Sequence, residues 1–210
     1  MIDFNEKQLQ IIETSERLFA QKGFDATSVR DIAEEAGINV AMISYYFGSK
    51  EKLMEAIFEA KIGKVQMRVE ALLKDESLLP FDKMYTLIDE HIERVMHSQH
   101  FYRIMISEQL TNKNPAILQT VKQLKVRNAE LISQLIKEGQ QKGFFKKKVD
   151  VVLMLNTMLG TVWQSIISKE HYREFTNSQL LTDEEYETQL KKKLSTHIKT
   201  LFKAILTNEA

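Results

Sequence analysis

The stretch "TSVRDIAEEAGINVAMISYYFGSK", residues 27–50, decides the fold. Its first half places apolar residues at i, i+3, i+4 and i+7, which is the spacing of one helix face. These residues are Val29, Ile32, Ala33 and Ala36. Gly37 interrupts the pattern, and Asn39 is a residue type that caps helices. Ile43 and Phe47 then fall one turn apart. The pattern predicts two short helices joined by a glycine turn, which is a helix-turn-helix.

A further helix is predicted before this stretch, at about 5–22, with Gly23 at its end. Thr27 is predicted to cap the second helix. Helices this short are marginal in isolation, so they must pack on one another. The sequence therefore predicts a three-helix domain at residues 1–48.

The rest of the chain is predicted to form longer helices, because apolar residues recur with helical spacing and the 210 residues include only 2 prolines and 7 glycines. The predicted ranges are 50–75, 81–99, 101–111, 115–142, 150–170 and 184–207. The helix at 150–170 is apolar on nearly all sides, and the helix at 184–207 has one apolar stripe. This pair is predicted to form half of a four-helix bundle that a second copy of the chain completes.

Composition limits the function classes. The chain has no cysteine, which excludes disulfides, thiolate nucleophiles and Cys-ligated zinc. The polar start "MIDFNEKQLQ" is no signal peptide, and no apolar run is convincing as a membrane span. These features predict a cytoplasmic protein. The 29 basic and 29 acidic side chains cancel, so any nucleic-acid site must come from local placement.

One local feature is the absence of Asp and Glu between Ala36 and Lys50. If Ile43 and Phe47 face inward, the outer face of the third helix is small, polar and free of negative charge. A major groove admits such a helix, and phosphates repel carboxylates. Asn39 and Ser44 are candidates for hydrogen bonds to base edges or phosphates, and Val40 and Ala41 are candidates for contact with a thymine methyl. Candidate contacts to phosphates come from Thr27, Ser28, Arg30, Tyr45, Tyr46 and Lys50.

From the residues alone, two interpretations stay open. A window of this length without acids also arises by chance, and helix-turn-helix spacing occurs in bundles that bind no DNA. The first interpretation is a DNA-binding domain, and the second is a purely structural helical bundle.

The stretch "FDATSVRDIAEEAGINVAMISYYFGSKEKLMEAIF", residues 24–58, resembles the N-terminal domain of the tetracycline-repressor (TetR) family of bacterial regulators. The resemblance covers about 50 residues. The matching positions are Thr27, Ile32-Ala33, Ala36-Gly37-Ile38, Tyr46-Phe47 and Ser49-Lys50-Glu51. The family often has Lys-Gly where Val40-Ala41 stand, Tyr where Ser44 stands, and a Pro near Gly48. These differences bear on the operator sequence.

The resemblance implies an all-α transcriptional regulator, most often a repressor, and neither an enzyme nor a cofactor protein. Residues 1–48 would bind DNA, and residues 49–210 would bind an effector and dimerise through the helices near 150–170 and 184–207. The homodimer would place two recognition helices in successive major grooves of a near-palindrome, about 34–36 Å apart. A small molecule among the central helices would lower operator affinity.

An effector cavity is expected to be lined by methionine and aromatic side chains, which make adaptable apolar walls. The candidates are Phe101, Tyr102, Met105, Met154, Met158 and Trp163. Ordinary core packing is the alternative for each of them.

The rival function is a helical-bundle enzyme or metal carrier that uses His91, His97 and His100 in "DEHIERVMHSQH". A solvated helix face explains the same spacing. The chain contains no Glu-x-x-His, which counts against a di-iron bundle.

Overall fold

The computed structural model describes residues 4–111, 114–146 and 148–207, with Lys64 described by its backbone only. All regular structure in these ranges is α-helical, as predicted. The helices are α1 (Glu6–Lys22), α2 (Val29–Glu35), α3 (Val40–Phe47), α4 (Lys50–Lys74), α5 (Pro80–His97), α6 (Gln99–Thr111), α7 (Pro115–Gln141), α8 (Val151–Ile167), α9 (Lys169–Phe175) and α10 (Asp183–Leu206).

The chain divides into two compact units. Unit 1 comprises Met1–Arg68 and Ser98–Val126, and unit 2 comprises Val69–His97 and Arg127–Ala210. The long helices α4 and α7 each contribute residues to both units. The predicted functional boundary at 48/49 remains a prediction.

Unit 1 packs α1, α2, α3, the first part of α4, α6 and the start of α7 around one apolar core. Residues from both sequence segments of unit 1 contribute to this core. The rings of Phe58 and Phe101, one from each segment, lie edge to face with centroids 5.0 Å apart. The large buried side chains of this core include Ile11, Ile12, Phe19, Ile32, Ile43, Leu53, Met54, Ile57, Phe58 and Phe101. Each such side chain contributes about 1.5–3 kcal/mol by leaving water. The short helices α2 and α3 are thus held by tertiary packing.

Unit 2 is built around contacts among α5, α8 and α10. The predicted apolar stripe of α10 is buried, at Tyr186, Leu190, Leu194, Ile198, Phe202 and Leu206. Beside it, the Ser195 hydroxyl donates to the Asp89 carboxylate at 2.6 Å, which links α10 to α5. Lys83 is buried, and its ammonium donates to the Leu73 carbonyl at 2.9 Å and pairs with Glu138 at 3.0 Å.

The helix predicted at 150–170 ends earlier in the structure. α8 ends at Ile167, where the Ser168 hydroxyl donates to the Gln164 carbonyl. The short helix α9 follows after a bend of 81°, and it was not predicted as a separate helix. Among the described helices, none alone is long and apolar enough to cross a membrane; only the bent pair α8–α9 together reaches that length and composition.

Candidate DNA interface

The helix-turn-helix begins with a capping box at Ser28. Its hydroxyl accepts from the Asp31 N–H at 3.1 Å, and the Asp31 carboxylate accepts from the Ser28 N–H at 2.7 Å. The Ser28 hydroxyl also donates to the Asp31 carboxylate, at 2.8 Å. The two hydrogen bonds that this carboxylate accepts, first from the Ser28 backbone N–H and second from the Ser28 hydroxyl, lower the pKa of Asp31. α2 therefore starts with satisfied N–H groups, and Ser28 remains exposed.

The prediction that Thr27 caps α2 is wrong, because Ser28 is the capping residue. The Thr27 side chain is fully buried, and its hydroxyl donates to the Gly23 carbonyl at 2.8 Å. That hydroxyl is therefore engaged in a hydrogen bond within unit 1. Its position does not support the phosphate contact that the sequence suggested.

The turn between α2 and α3 depends on Gly37, whose φ is +63°. This left-handed conformation is easy for glycine and costly for residues with a Cβ atom. It lets the Ile38 N–H donate to the Ala33 carbonyl at 3.0 Å, which closes the end of α2. The Gln10 side chain of α1 donates to the Ala36 carbonyl at 2.9 Å. The angle between α2 and α3 is thus fixed by backbone hydrogen bonds and by α1.

The third helix carries the predicted outer face. The Asn39 side chain caps α3 by accepting from the Ala41 N–H at 2.9 Å, as predicted. Ile43 is only 1% exposed and Phe47 is half-buried, so this side faces the core. The opposite side is exposed at Asn39, Val40, Ala41, Ser44 and Tyr45. The structure therefore presents a polar, carboxylate-free strip to the outside.

Two tyrosines end this strip. Tyr45 is 79% exposed, whereas Tyr46 is half-buried. Their rings lie edge to face with centroids 5.1 Å apart. Tyr46 therefore supports Tyr45, whose hydroxyl is free to reach outward.

The two remaining predicted contacts, Arg30 and Lys50, differ in what their charged groups contact. Arg30 is exposed, and among the described residues no hydrogen bond or ion pair engages its guanidinium. Lys50 is half-buried, and its ammonium donates to the Phe24 and Thr27 carbonyls at 2.8 and 2.9 Å. Two other cations nearby are paired within unit 1, Arg17 with Glu35 and Lys52 with Glu55. Arg30 is thus the guanidinium that this surface offers to an anion.

Sequence reasoning missed Gln10 and Asp31, which position the helices. Asp31 had a local signal, since Ser28 and Asp31 have the spacing of a capping box. Gln10 had none, because its partner carbonyl lies 26 residues away.

The predicted effector residues are distributed over both units. Phe101 is buried in unit 1, with Tyr102 and Met105 packed against its core. In unit 2, Met154 and Met158 are buried and Trp163 is half-buried. Their role as a cavity lining stays a prediction.

The histidines do not form a metal site. His91 is buried in α5, and His97 and His100 are exposed. Within the described ranges, no group of three His, Cys, Asp or Glu side chains is arranged to hold a metal ion.

Two family models together match most of the chain. Residues 11–57 match the model of bacterial regulatory proteins of the tetR family, and residues 58–171 match the YsiA-like protein C-terminal region. The chain belongs to the TetR family. This TetR-family chain is therefore a DNA-binding transcriptional regulator, and the enzyme interpretation is not supported.

Several relatives agree with this assignment. The fatty acid metabolism regulator protein of Bacillus subtilis is 25% identical over 160 residues, which is 76% of this TetR-family chain and 81% of the relative. The probable HTH-type transcriptional regulator YttP of Bacillus subtilis is 61% identical over 46 residues, or 22% of each chain.

Solved structures share the fold. The ketosteroid transcriptional regulator KstR2 of Mycobacterium tuberculosis superposes with a TM-score of 0.74 at 20% identity, covering 98% of this TetR-family chain and 97% of that one. FadR of Bacillus subtilis in complex with stearoyl-CoA gives a TM-score of 0.64 at 21% identity, covering 91% and 97%.

Proposed function

We propose that this protein represses transcription by placing α3 of each protomer in the major groove of a near-palindromic operator. The observation that carries the proposal is the exposed, carboxylate-free face of α3, held outward by Ile43, which is almost fully buried. A groove walled by phosphates accepts such a face and repels an acidic one. The protein is expected to act in the cytoplasm.

The contacts follow from exposure and chemistry. Asn39 and Ser44 offer hydrogen bonds to base edges, and Val40 and Ala41 offer methyl groups to thymine. Phosphates are assigned to the exposed Ser28, Arg30 and Tyr45 and to the half-buried Tyr46.

A homodimer through α8 and α10 is part of the proposal. α8 contains no charged residue over its whole length, yet Val152, Leu153 and Ile167 are 56%, 63% and 55% exposed in the protomer. Gly160 lies on the same helix, and a Cβ atom added there would meet nothing within 4 Å. The exposed face of α8 is uncharged, with Asn156, Thr157 and Gln164 beside the apolar residues, and such a face is compatible with itself across a two-fold axis. A second copy is therefore the occupant that fits it.

The effector is proposed to be a long-chain acyl-CoA or a comparable amphiphile. Support comes from the relatives, since one regulates fatty acid metabolism and one binds stearoyl-CoA in its crystal. The candidates for contact with the apolar part are Phe101, Tyr102 and Met105 in unit 1 and Met154, Met158 and Trp163 in unit 2. An effector that favours the DNA-free state by about 1–3 kcal/mol lowers operator affinity roughly 5- to 150-fold.

The test is fluorescence anisotropy with a duplex that the wild-type protein selects from a random pool. We expect tight binding that falls steeply between low and moderate salt, because counterions are released from contacted phosphates. Stearoyl-CoA should weaken this binding, whereas free CoA and stearate are the matched controls for its two parts. Failure to enrich any duplex would refute the DNA proposal. Binding that stearoyl-CoA leaves unchanged would refute the effector class alone.

A further inference from the structure

The exposed face of α8 follows a seven-residue repeat. Apart from Val152 at its edge, the exposed residues of this helix are Leu153, Asn156, Thr157, Gly160, Gln164 and Ile167. Leu153, Gly160 and Ile167 are seven positions apart. Such a repeat keeps one face of a helix in contact with a neighbouring helix that crosses it at a shallow angle, about 20°.

The residues of this face are arranged symmetrically about Gly160. Leu153 lies seven positions before it and Ile167 seven positions after it, while Asn156 and Gln164 lie four positions to either side. The order apolar, amide, glycine, amide, apolar is therefore the same in both directions along the helix. A two-fold axis that crosses α8 at Gly160 brings each group opposite one of its own kind.

An antiparallel pair about this axis satisfies both kinds of group. Leu153 then faces the partner's Ile167, and these two positions are 63% and 55% exposed in the protomer. Asn156 faces the partner's Gln164, and the two side-chain amides can hydrogen-bond reciprocally because each carries donors and an acceptor. At Gly160 the absence of a Cβ atom lets the two backbones approach closely.

Thr157 fits the same arrangement. Its hydroxyl donates to the Leu153 carbonyl of its own helix at 2.9 Å, so it needs no acceptor from a second copy. Its methyl group, three positions before Gly160, faces the half-buried partner's Trp163, three positions after it. The Thr157 hydroxyl therefore stays satisfied when the contact excludes water.

Other registers place unlike groups together. A shift of three residues in one direction sets Leu153 against the partner's Gln164. The opposite shift sets Asn156 against the partner's Ile167. In both cases an amide lies against an apolar side chain, and a buried amide without a hydrogen bond is destabilising. The pattern on α8 thus favours one register.

We propose that α8 pairs with the α8 of a second copy in an antiparallel crossing centred on Gly160, and that the two Asn156–Gln164 contacts of the dimer set its register. The symmetry of the face is what identifies a second copy as the occupant, since a different protein requires no such symmetry. This inference rests on the proposed homodimer and adds its axis and the residues that specify it.

The first test uses charge pairs at the two exposed amide positions. Asn156→Lys/Gln164→Glu places opposite charges face to face in the proposed pair, whereas Asn156→Lys/Gln164→Lys places like charges there. Sedimentation equilibrium should show dimerisation that is about tenfold or more tighter for the first variant. The reversed variant, Asn156→Glu/Gln164→Lys, should match the first and controls for charges elsewhere. Equal dimer constants for the opposite-charge and like-charge variants would overturn the proposal, and a parallel pair predicts that equality.

The second test uses engineered cysteines, for which the cysteine-free chain gives no background. Asn156→Cys mixed with Gln164→Cys should form disulfide-linked dimers under mild oxidation once the two proteins have exchanged subunits. Each variant alone should not, because identical sites eight residues from their counterparts lie about 12 Å apart along the pair. Ala71→Cys, at an exposed site on α4, measures collisional linkage. Asn156→Cys that links to itself as well as it links to Gln164→Cys would contradict the proposed register.

The proposed dimer and its register can fail separately. A wild type that stays monomeric, or whose dimer none of these variants affects, would refute α8 as the dimer face and leave that face to a different partner. A dimer that both double variants weaken equally would keep α8 in the interface and refute the register alone.

Discussion

The ring of Phe145 lies against the backbone of Gly139, at the place where a side chain on residue 139 would begin. The N–H groups of Phe144 and Phe145 both donate to the Gly139 carbonyl, at 2.8 and 3.2 Å. The other side of the Phe145 ring is met edge-on by Phe81 at 4.9 Å. The segment that follows α7, with Phe144 and Phe145, thus folds back onto the end of α7. Only a glycine at position 139 leaves room for the Phe145 ring.

We predict that Gly139→Ala destabilises the protein. In an exposed helix this change is favourable by about 1 kcal/mol, but here overpacking against a fixed ring costs about 1–3 kcal/mol. Urea unfolding of the variant measures the difference. Phe145→Leu is the control, since removing the ring makes room and should shrink the cost of Gly139→Ala in the double variant. A cost that is equal in both backgrounds would show that the ring is not the obstacle.

Stability should fall as the pH drops below 6.5, in part because of His91. Burial first, and the charge of Arg94 second, lower the pKa of His91 from 6.5 to about 3. As the pH falls through 6.5, His91 becomes protonated in the unfolded chain but stays neutral in the folded chain. The free energy of unfolding therefore decreases progressively down to about pH 3. Between pH 6.5 and 5 the decrease in stability is about 2 kcal/mol.

The measurement is urea unfolding of the wild type and His91→Gln at pH 7 and pH 5. The variant should lack this part of the pH dependence. An identical decrease in stability in both proteins would contradict the assignment to His91.

Ser44→Ala is predicted to change the ranking of operator variants more than the overall affinity. Ser44 lies on the exposed face of α3, where a base contact discriminates by about 1–3 kcal/mol. Competition binding with single-base-pair variants of the selected duplex measures this. Tyr45→Phe is the matched control, because its hydroxyl is proposed to bind a phosphate, and removing such a contact should weaken all duplexes alike. An unchanged ranking for Ser44→Ala would remove Ser44 from base readout.

Gly160→Leu is predicted to weaken dimerisation at least about tenfold while leaving the protomer folded. Within the protomer a side chain at 160 meets open space, so any penalty must come from the second copy. Overpacking at an interface costs about 1–3 kcal/mol. Sedimentation equilibrium measures the dimer constant. Ala71→Leu, at an exposed site on α4, controls for added surface hydrophobicity. Equal dimer constants for wild type and Gly160→Leu would place the interface elsewhere.

The sequence predicted the helical fold because glycine turns and apolar spacing are local signals. It assigned the cap of α2 to Thr27 instead of Ser28, since both residue types cap helices and only burial of Thr27 decides between them. It did not reveal that the Lys50 ammonium donates to the Thr27 carbonyl, because a contact across 23 residues leaves no local trace. The buried ammonium of Lys83 was missed for the same reason, since its partner Glu138 lies 55 residues away.

The neutrality of α8 has a consequence for partner choice. In many helical pairs, like charges that lie opposite each other destabilise pairing with the wrong partner. α8 carries no charged residue, so it has no such repulsion. Discrimination between this chain and a paralogue with a similar α8 would therefore rest on the shape of α8 and on the charged residues of α10, such as Lys191, Lys192 and Lys193. Where two such regulators are made in one cell, the proposed interface would allow mixed pairs unless the two surfaces mismatch, and each mixed pair would read a composite of two half-sites.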